Sequence, residues 1–251
     1  MPAPIIALDR VTRRFGATTA VDDVSLAIAP GAFVALVGTS GSGKSTLLQT
    51  INALVRPDAG TVQVEGRDIA DGPPHLLRRR IGYVFQGDGL FPHMSVARNI
   101  AVGLRLAGTP TGDRVAEMLD LVELPRDLAD RRPDQLSGGQ RQRVAIARAL
   151  APSPAILLLD EALGALDPVT RDGLGTRLRA LHDRLALTTV LVTHDMAEAL
   201  LLADRVLVMA KGRIVADATP RQLATGGGGE GAQALMAVPR HQAERLAALS
   251  R

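Results

Sequence analysis

Four runs along the chain are continuously apolar: AFVALV at 32–37, AILLLD at 155–160, TTVLVTH at 188–194 and RVLVMA at 205–210. Short runs without polar alternation predict strands buried on both faces, as in a parallel sheet covered by helices. Residues 5–30 and 61–66 read differently, as short strands (IIALDRV, VSLAIA, TVQVEG) broken by turn-rich pieces such as FGATTAVDD. That pattern predicts antiparallel pairing at an edge. Helical periodicity fills the intervals, in STLLQTINAL (45–54), RQRVAIARAL (141–150), RDGLGTRLRALHDRL (171–185) and MAEALLLA (196–203). Strands alternating with helices define an α/β fold.

Between about 88 and 150 the strand signal disappears, and SVARNIAVGLRLA and DRVAEMLDLVEL carry helical periodicity. The expected organisation is one domain over 1–225, with a helical subdomain inserted at about 88–150. A tetraglycine linker at Gly226 to Gly229 and a short helical tail over 226–251, interrupted at Pro239, are expected to form an appendage.

Composition narrows the class. The 251 residues are 46% apolar with a net charge of +3, and Lys44 and Lys211 are the sole lysines. So small an excess is not that of a nucleic-acid binder. Zero cysteine excludes a disulfide framework, a thiolate metal site and cysteine catalysis. The start, MPAPIIALDR, has no leader pattern, and no apolar run approaches the ~20 residues of a membrane-spanning helix, so a soluble cytoplasmic protein is expected. Aromatics are scarce: no Trp, only Tyr83, and Phe15, Phe33, Phe85 and Phe91.

After AFVALV comes Gly38-Thr39-Ser40-Gly41-Ser42-Gly43-Lys44-Ser45-Thr46, then a helix. This is the phosphate-loop pattern in its strand, loop, helix context. Gly38, Gly41 and Gly43 allow backbone N–H groups to curl around phosphates, and the helix start adds partial positive charge. Lys44 is expected to reach the β and γ phosphates, Ser45 to ligate Mg²⁺, and Thr46 to contact an α-phosphate oxygen. Downstream, AILLLDEALGALD places Asp160 at a strand's carboxyl end and Glu161 next to it. Asp160 suits Mg²⁺ through a water, and Glu161 suits a general base for the water attacking the γ-phosphate.

A second anion-binding helix start is expected at Leu136-Ser137-Gly138-Gly139-Gln140, ahead of RQRVAIARAL. With this motif the sequence resembles the ATP-binding-cassette (ABC) ATPases from about residue 5 to 223, every family motif standing in order. The resemblance implies a P-loop NTPase (RecA-like) core with an antiparallel β subdomain and an inserted α-helical subdomain. Phe15 then fills the adenine-stacking position, and Gln86 links Mg²⁺ and the attacking water to the helical subdomain. Asp167 is the loop aspartate that communicates across a dimer, and His194 the switch histidine contacting the γ-phosphate. The family sandwiches two ATP molecules between two copies, each signature loop closing over the other copy's phosphate loop. Ala162 departs from the family, where Pro is common.

Gly89-Leu90-Phe91-Pro92-His93-Met94-Ser95-Val96 resembles a segment of importer ATPases, with Leu90, Phe91 and Met94 expected to be exposed for a partner helix. The expected partners are therefore a second copy, transmembrane permease subunits and, indirectly, a solute-binding protein, but no nucleic acid. The chain would sit peripherally on the inner face of the cell membrane. GLFPHMSV, LADRRPDQLSGGQRQRV and GALDPVTRDGL most resemble importers of glycine betaine, choline and related quaternary amines. Importers of polyamines, iron, sulfate or amino acids, and a non-transport ABC ATPase, are the alternatives.

Overall fold

A computed structural model describes residues 3–164 and 166–249. They fall into two compact units, one combining residues up to Ile69 with those from Leu191 onward, the other spanning Ala70–Val190.

The first unit begins with the antiparallel strands β1 (Ile6–Phe15) and β2 (Thr18–Ile28), with Ile6 opposite Ile28 and Leu8 opposite Leu26. Burial alternates at Ile6 and Leu8 and at Val24, Leu26 and Ile28, and register shifts beyond Leu8 change its phase so that Val11 and Val21 are buried as well. β3 (Phe33–Val37) is buried along its whole length and feeds a loop into α1 (Lys44–Ile51). β4 (Ala59–Val64) and the two-residue β5 (Arg67–Asp68) complete a sheet of order β2-β1-β4-β5.

The second unit opens with α2 (Pro74–Arg78) and β6 (Ile81–Val84). Helices α3 (Val96–Leu106), α4 (Arg114–Leu121) and α5 (Gly138–Leu150) follow, with 3₁₀ turns at Arg126–Asp130 and Pro133–Gln135. The described residues from 85 to 155 contain no strand. β7 (Ile156–Asp160) then pairs in parallel with β6, Ile81 opposite Ile156 and Val84 opposite Leu159, and leads to α6 (Pro168–Leu185). Every residue of β7 is buried.

The wholly buried β8 (Thr188–Thr193) carries the chain out of the second unit and back into the first. There α7 (Met196–Leu202) packs on β3, and β9 (Arg205–Ala210) pairs with β3 in parallel, Ala35 opposite Val206. Asp204 fixes that register: its N–H donates to Phe33 O at 2.8 Å while its Oδ2 accepts from Phe33 N–H at 2.9 Å. β10 (Arg213–Ala218), antiparallel to β9, leads to α8 (Pro220–Ala224) and α9 (Gly229–Leu249).

The tail is not a detached appendage. Its glycines form a turn closed by Gly227 N–H to Gln222 O at 2.7 Å, with Gly226, Gly228 and Gly229 at positive φ. α9 packs on β9, β10, α7 and α8, burying Ala232 and Met236, and Arg240 donates to the terminal carbonyls of α8, Leu223 O and Ala224 O, each at 3.1 Å. The helix continues through Pro239, where a break was expected; a proline removes one helical N–H but does not stop a helix that tertiary contacts hold in place. Met236→Ala is therefore expected to lower stability by about 2–4 kcal/mol in urea unfolding. A free tail would show no loss.

Candidate functional site

In the first unit, the loop between β3 and α1 is shaped by crowding. A Cβ on Gly38 would lie 2.2 Å from Met209 O, and one on Gly43 would lie 1.9 Å from Ala20 O, at φ values of +156° and +103°. Both glycines are thus dictated by the strands behind the loop as well as by any ligand in front of it. Lys44, only 4% exposed, folds over the loop and donates from Nζ to Gly38 O and Thr39 O, each at 2.9 Å. Thr39, Ser40 and Gly41 are exposed, whereas Ser45 and Thr46 are half-buried in the first turn of α1. No side chain caps that helix, and among the described residues the buried Ser42 Oγ has no hydrogen-bond partner. A buried ammonium beside an uncapped helix start makes an electropositive cradle, the environment that polyphosphate requires.

Two further residues predicted for the site lie in this unit. Phe15 ends β1 almost half exposed, with the Arg13 guanidinium carbon 4.6 Å from the ring centroid; Arg13 is itself paired with Asp58 at 2.8 Å. His194 is exposed, between the end of β8 and Asp195, whose carboxylate caps α7 by accepting from Ala197 N–H and Glu198 N–H.

The second unit brings Gln86 and Glu161 together, Gln86 Nε2 donating to Glu161 Oε2 at 3.0 Å. Glu161 sits at φ +46°, a left-handed conformation that a non-glycine residue adopts only where surrounding structure imposes it. Asp160, 2% exposed, accepts from the Tyr83 hydroxyl at 3.0 Å, and the Tyr83 ring stands edge-on to Phe85, centroids 4.6 Å apart. This tie is absent from the sequence pattern, which offers no reason to pair residues 77 apart.

The signature residues form a cap. Ser137 Oγ accepts from Gln140 N–H at 3.2 Å and Gln140 Oε1 accepts from Ser137 N–H at 2.9 Å, a reciprocal capping box at the start of α5. Asp167 caps α6 by accepting from Thr170 N–H at 3.0 Å, and its hydrogen bonds to Thr170 hold its carboxyl below the usual carboxylate range. The two caps share a cleft of about 440 Å³ lined by Ser137, Gly138, Gly139, Gln140, Leu166 and Asp167. A Cβ on Gly139 would lie 3.2 Å from Thr170 Cγ2, so the two helix starts meet closely.

The segment after Gln86, expected to expose Leu90, Phe91 and Met94, exposes only Phe91 of the three. Phe91 is exposed and Met94 half-buried, but Leu90 is buried, in a turn closed by its own N–H to Asp88 Oδ1 at 3.1 Å.

The family model of the ABC transporter matches residues 21–164, more than half of the chain, and the chain belongs to that family. It is 50% identical over 221 residues to the sulfate/thiosulfate import ATP-binding protein CysA of Thermosynechococcus vestitus, covering 87% of this chain and 65% of that protein. It is 47% identical over 224 residues to the glycine betaine uptake system ATP-binding protein YehX of Escherichia coli, covering 88% and 73%. A solved dimeric ATP-binding cassette in a post-hydrolysis state, bound to ADP and Pi, superposes with a TM-score of 0.79 at 36% identity, covering 86% of this chain and 99% of that one. The α/β architecture is therefore that of the ABC cassette, although the chain spans just under two thirds of the length of the sulfate relative.

Tyr83→Phe removes a hydrogen bond to a buried carboxylate, and is expected to cost about 1.5 kcal/mol in urea unfolding. An unchanged midpoint would show that the Tyr83 hydroxyl does not support Asp160.

Proposed function

We propose that this chain is the ATP-binding and ATP-hydrolysing subunit of a membrane importer. The observation that carries the reading is the cradle around Lys44, a buried ammonium held against the loop's own carbonyls at an uncapped helix start. Lys44 neutralises the β and γ phosphates of ATP, backbone N–H groups of residues 39–46 wrap them, and Phe15 stacks on the adenine. Glu161 orients and deprotonates the attacking water, and His194 contacts the γ-phosphate.

The donors assigned to Mg²⁺ are the Ser45 hydroxyl, the Gln86 amide and the Asp160 carboxylate. This all-oxygen set, with a single carboxylate, suits a hard cation that takes its other ligands from phosphate and water. Among the described residues no cluster of three His, Cys, Asp or Glu offers an all-protein cage, which agrees with that division. When bound, the ion neutralises charge developing on the β and γ phosphate oxygens. Gln86 Nε2 donates to Glu161 Oε2, which helps to hold the proposed base and leaves the Gln86 amide oxygen as the atom that would ligate the ion.

Two copies complete the machine. The cleft shared by Ser137, Gly139, Gln140 and Asp167 opens to solvent with no lysine of its own, and it suits the γ-phosphate of ATP held by a second copy. The solved dimeric cassette with ADP and Pi supports this arrangement. No helix among the described residues is long and apolar enough to cross a membrane, so permease subunits would supply the channel, docking at exposed Phe91.

For the solute we favour a quaternary amine such as glycine betaine or choline, on the segment GLFPHMSV and the relative from Escherichia coli. Sulfate or thiosulfate is the second reading, favoured by the slightly higher identity of the relative from Thermosynechococcus vestitus. Stimulation of ATP hydrolysis in a reconstituted permease complex by glycine betaine but not by sulfate supports the first; the reverse result supports the second. Glu161→Gln is expected to lower hydrolysis by about a hundredfold or more, the scale of a lost general base. It should also trap a dimer with MgATP that light scattering detects. Undiminished hydrolysis in this variant would remove Glu161 from the role of base.

A further inference from the structure

Asp88 lies two residues beyond Gln86, and both of its carboxylate oxygens are engaged. Oδ1 accepts from Leu90 N–H at 3.1 Å and shapes the turn of its own segment. Oδ2 accepts from Arg141 Nε at 2.8 Å, in the first half of α5. The same guanidinium donates from Nη1 to Leu136 O, the first residue of the LSGGQ motif, at 2.9 Å. A continuous chain of hydrogen bonds therefore runs from the backbone of Leu90 through one carboxylate and one guanidinium to the backbone of Leu136.

A second grip lies two turns along α5. Arg148 donates to Gly89 O at 2.7 Å and to Asp88 O at 3.1 Å. Seven residues separate the two arginines, which returns them to one face of the helix about 10 Å apart. Burial pushes the Arg148 guanidinium below its usual pKa while the Asp88 charge opposes that shift, so the carboxylate also offsets the cost of burying this cation. The far end of the segment is fixed from α3. Fully buried Asn99 accepts from Phe91 N–H at 2.8 Å and donates to Phe91 O, Met94 O and Ser95 O at 3.1, 3.2 and 3.1 Å. Since α3 packs against α5, residues 88–95 are bracketed between two helices that touch, while Phe91, Pro92 and His93 remain exposed on the outer edge.

We propose that Asp88 is a positioning residue for the signature loop: it fastens the segment after Gln86 to the start of α5, so that displacement of residues 88–95 moves Ser137–Gln140. A loop that merely needed a stable shape would use the Oδ1 turn alone. The Oδ2 bond adds nothing to that turn and reaches only the helix. The Asp88–Arg141 bond adds a charge-assisted link to the packing of α3 on α5, joining the segment with the exposed Phe91 edge to the cap at Ser137.

The test compares amide hydrogen exchange of the full chain and its Asp88→Ala variant. Exchange is expected to rise about tenfold both at 87–91 and at 137–141, the scale of losing a charge-assisted hydrogen bond. Asp183→Ala, which breaks the Arg179–Asp183 pair of α6, whose carboxylate is the more exposed of the two, should leave 137–141 unchanged. If Asp88→Ala fails to fold, Asp88→Asn, which keeps the shape and one acceptor oxygen, takes its place with the same expectation at smaller size. Faster exchange at 87–91 with none at 137–141 overturns the proposal. A second arm rests on the sandwich dimer proposed above. In a Glu161→Gln background, Asp88→Ala should weaken the MgATP-driven dimer about tenfold. If Glu161→Gln alone never dimerises, the sandwich reading fails and the exchange result still decides the role of Asp88.

Discussion

A strand buried on both faces has no side chain to spare for chemistry along its length. β3, β7 and β8 are buried at every position, and β6 is nearly so, which leaves their carboxyl ends as the places where polar groups emerge. Each of these strands is followed by residues assigned to nucleotide: Gly38 and its loop after β3, Gln86 shortly after β6, Asp160 and Glu161 at the end of β7, His194 after β8. The same burial that stabilises the core leaves these strand ends as four of the short stretches to which we assign nucleotide contacts. It also explains why the glycines of the phosphate loop cannot be exchanged freely, because Gly38 and Gly43 lie against backbone carbonyls of Met209 and Ala20.

The signature residues obey a different economy. Ser137, Gln140 and Asp167 are all occupied as helix caps, satisfying N–H groups of α5 and α6. Capping does not exhaust them. A serine hydroxyl that accepts one N–H keeps its own hydrogen to donate, and a carboxylate has several acceptor sites. The caps hold these side chains in a single orientation, so a ligand entering the cleft meets groups already placed and need not order them.

The apolar runs and the glycine-rich helix starts were legible from spacing alone, because period and loop chemistry are local. β6 was harder: IGYV is four residues long, contains a glycine and follows three arginines, so it lacks the length on which periodicity depends. The packing of α9 was hidden for a similar reason. A glycine run reads as a linker in either case, and only the partners Leu223 and Ala224 show that Arg240 anchors the helix. The importer resemblance implies an exposed Leu90; the turn at Asp88 that buries it involves a side chain to backbone bond with no periodic trace. The bond from Tyr83 to Asp160 joins adjacent strands, and strand order is not encoded in either segment.

That last bond gives the chain a property unrelated to its stability. Tyr83 is the sole tyrosine and there is no tryptophan, so the near-ultraviolet emission of the whole protein comes almost entirely from one phenol. The phenol is hydrogen-bonded to the carboxylate that ends β7 and stands edge-on to Phe85, three residues before Asp88. The scarcity of aromatic residues thus leaves the protein with a built-in optical reporter, free of background, seated beside the carboxylate we assign to Mg²⁺.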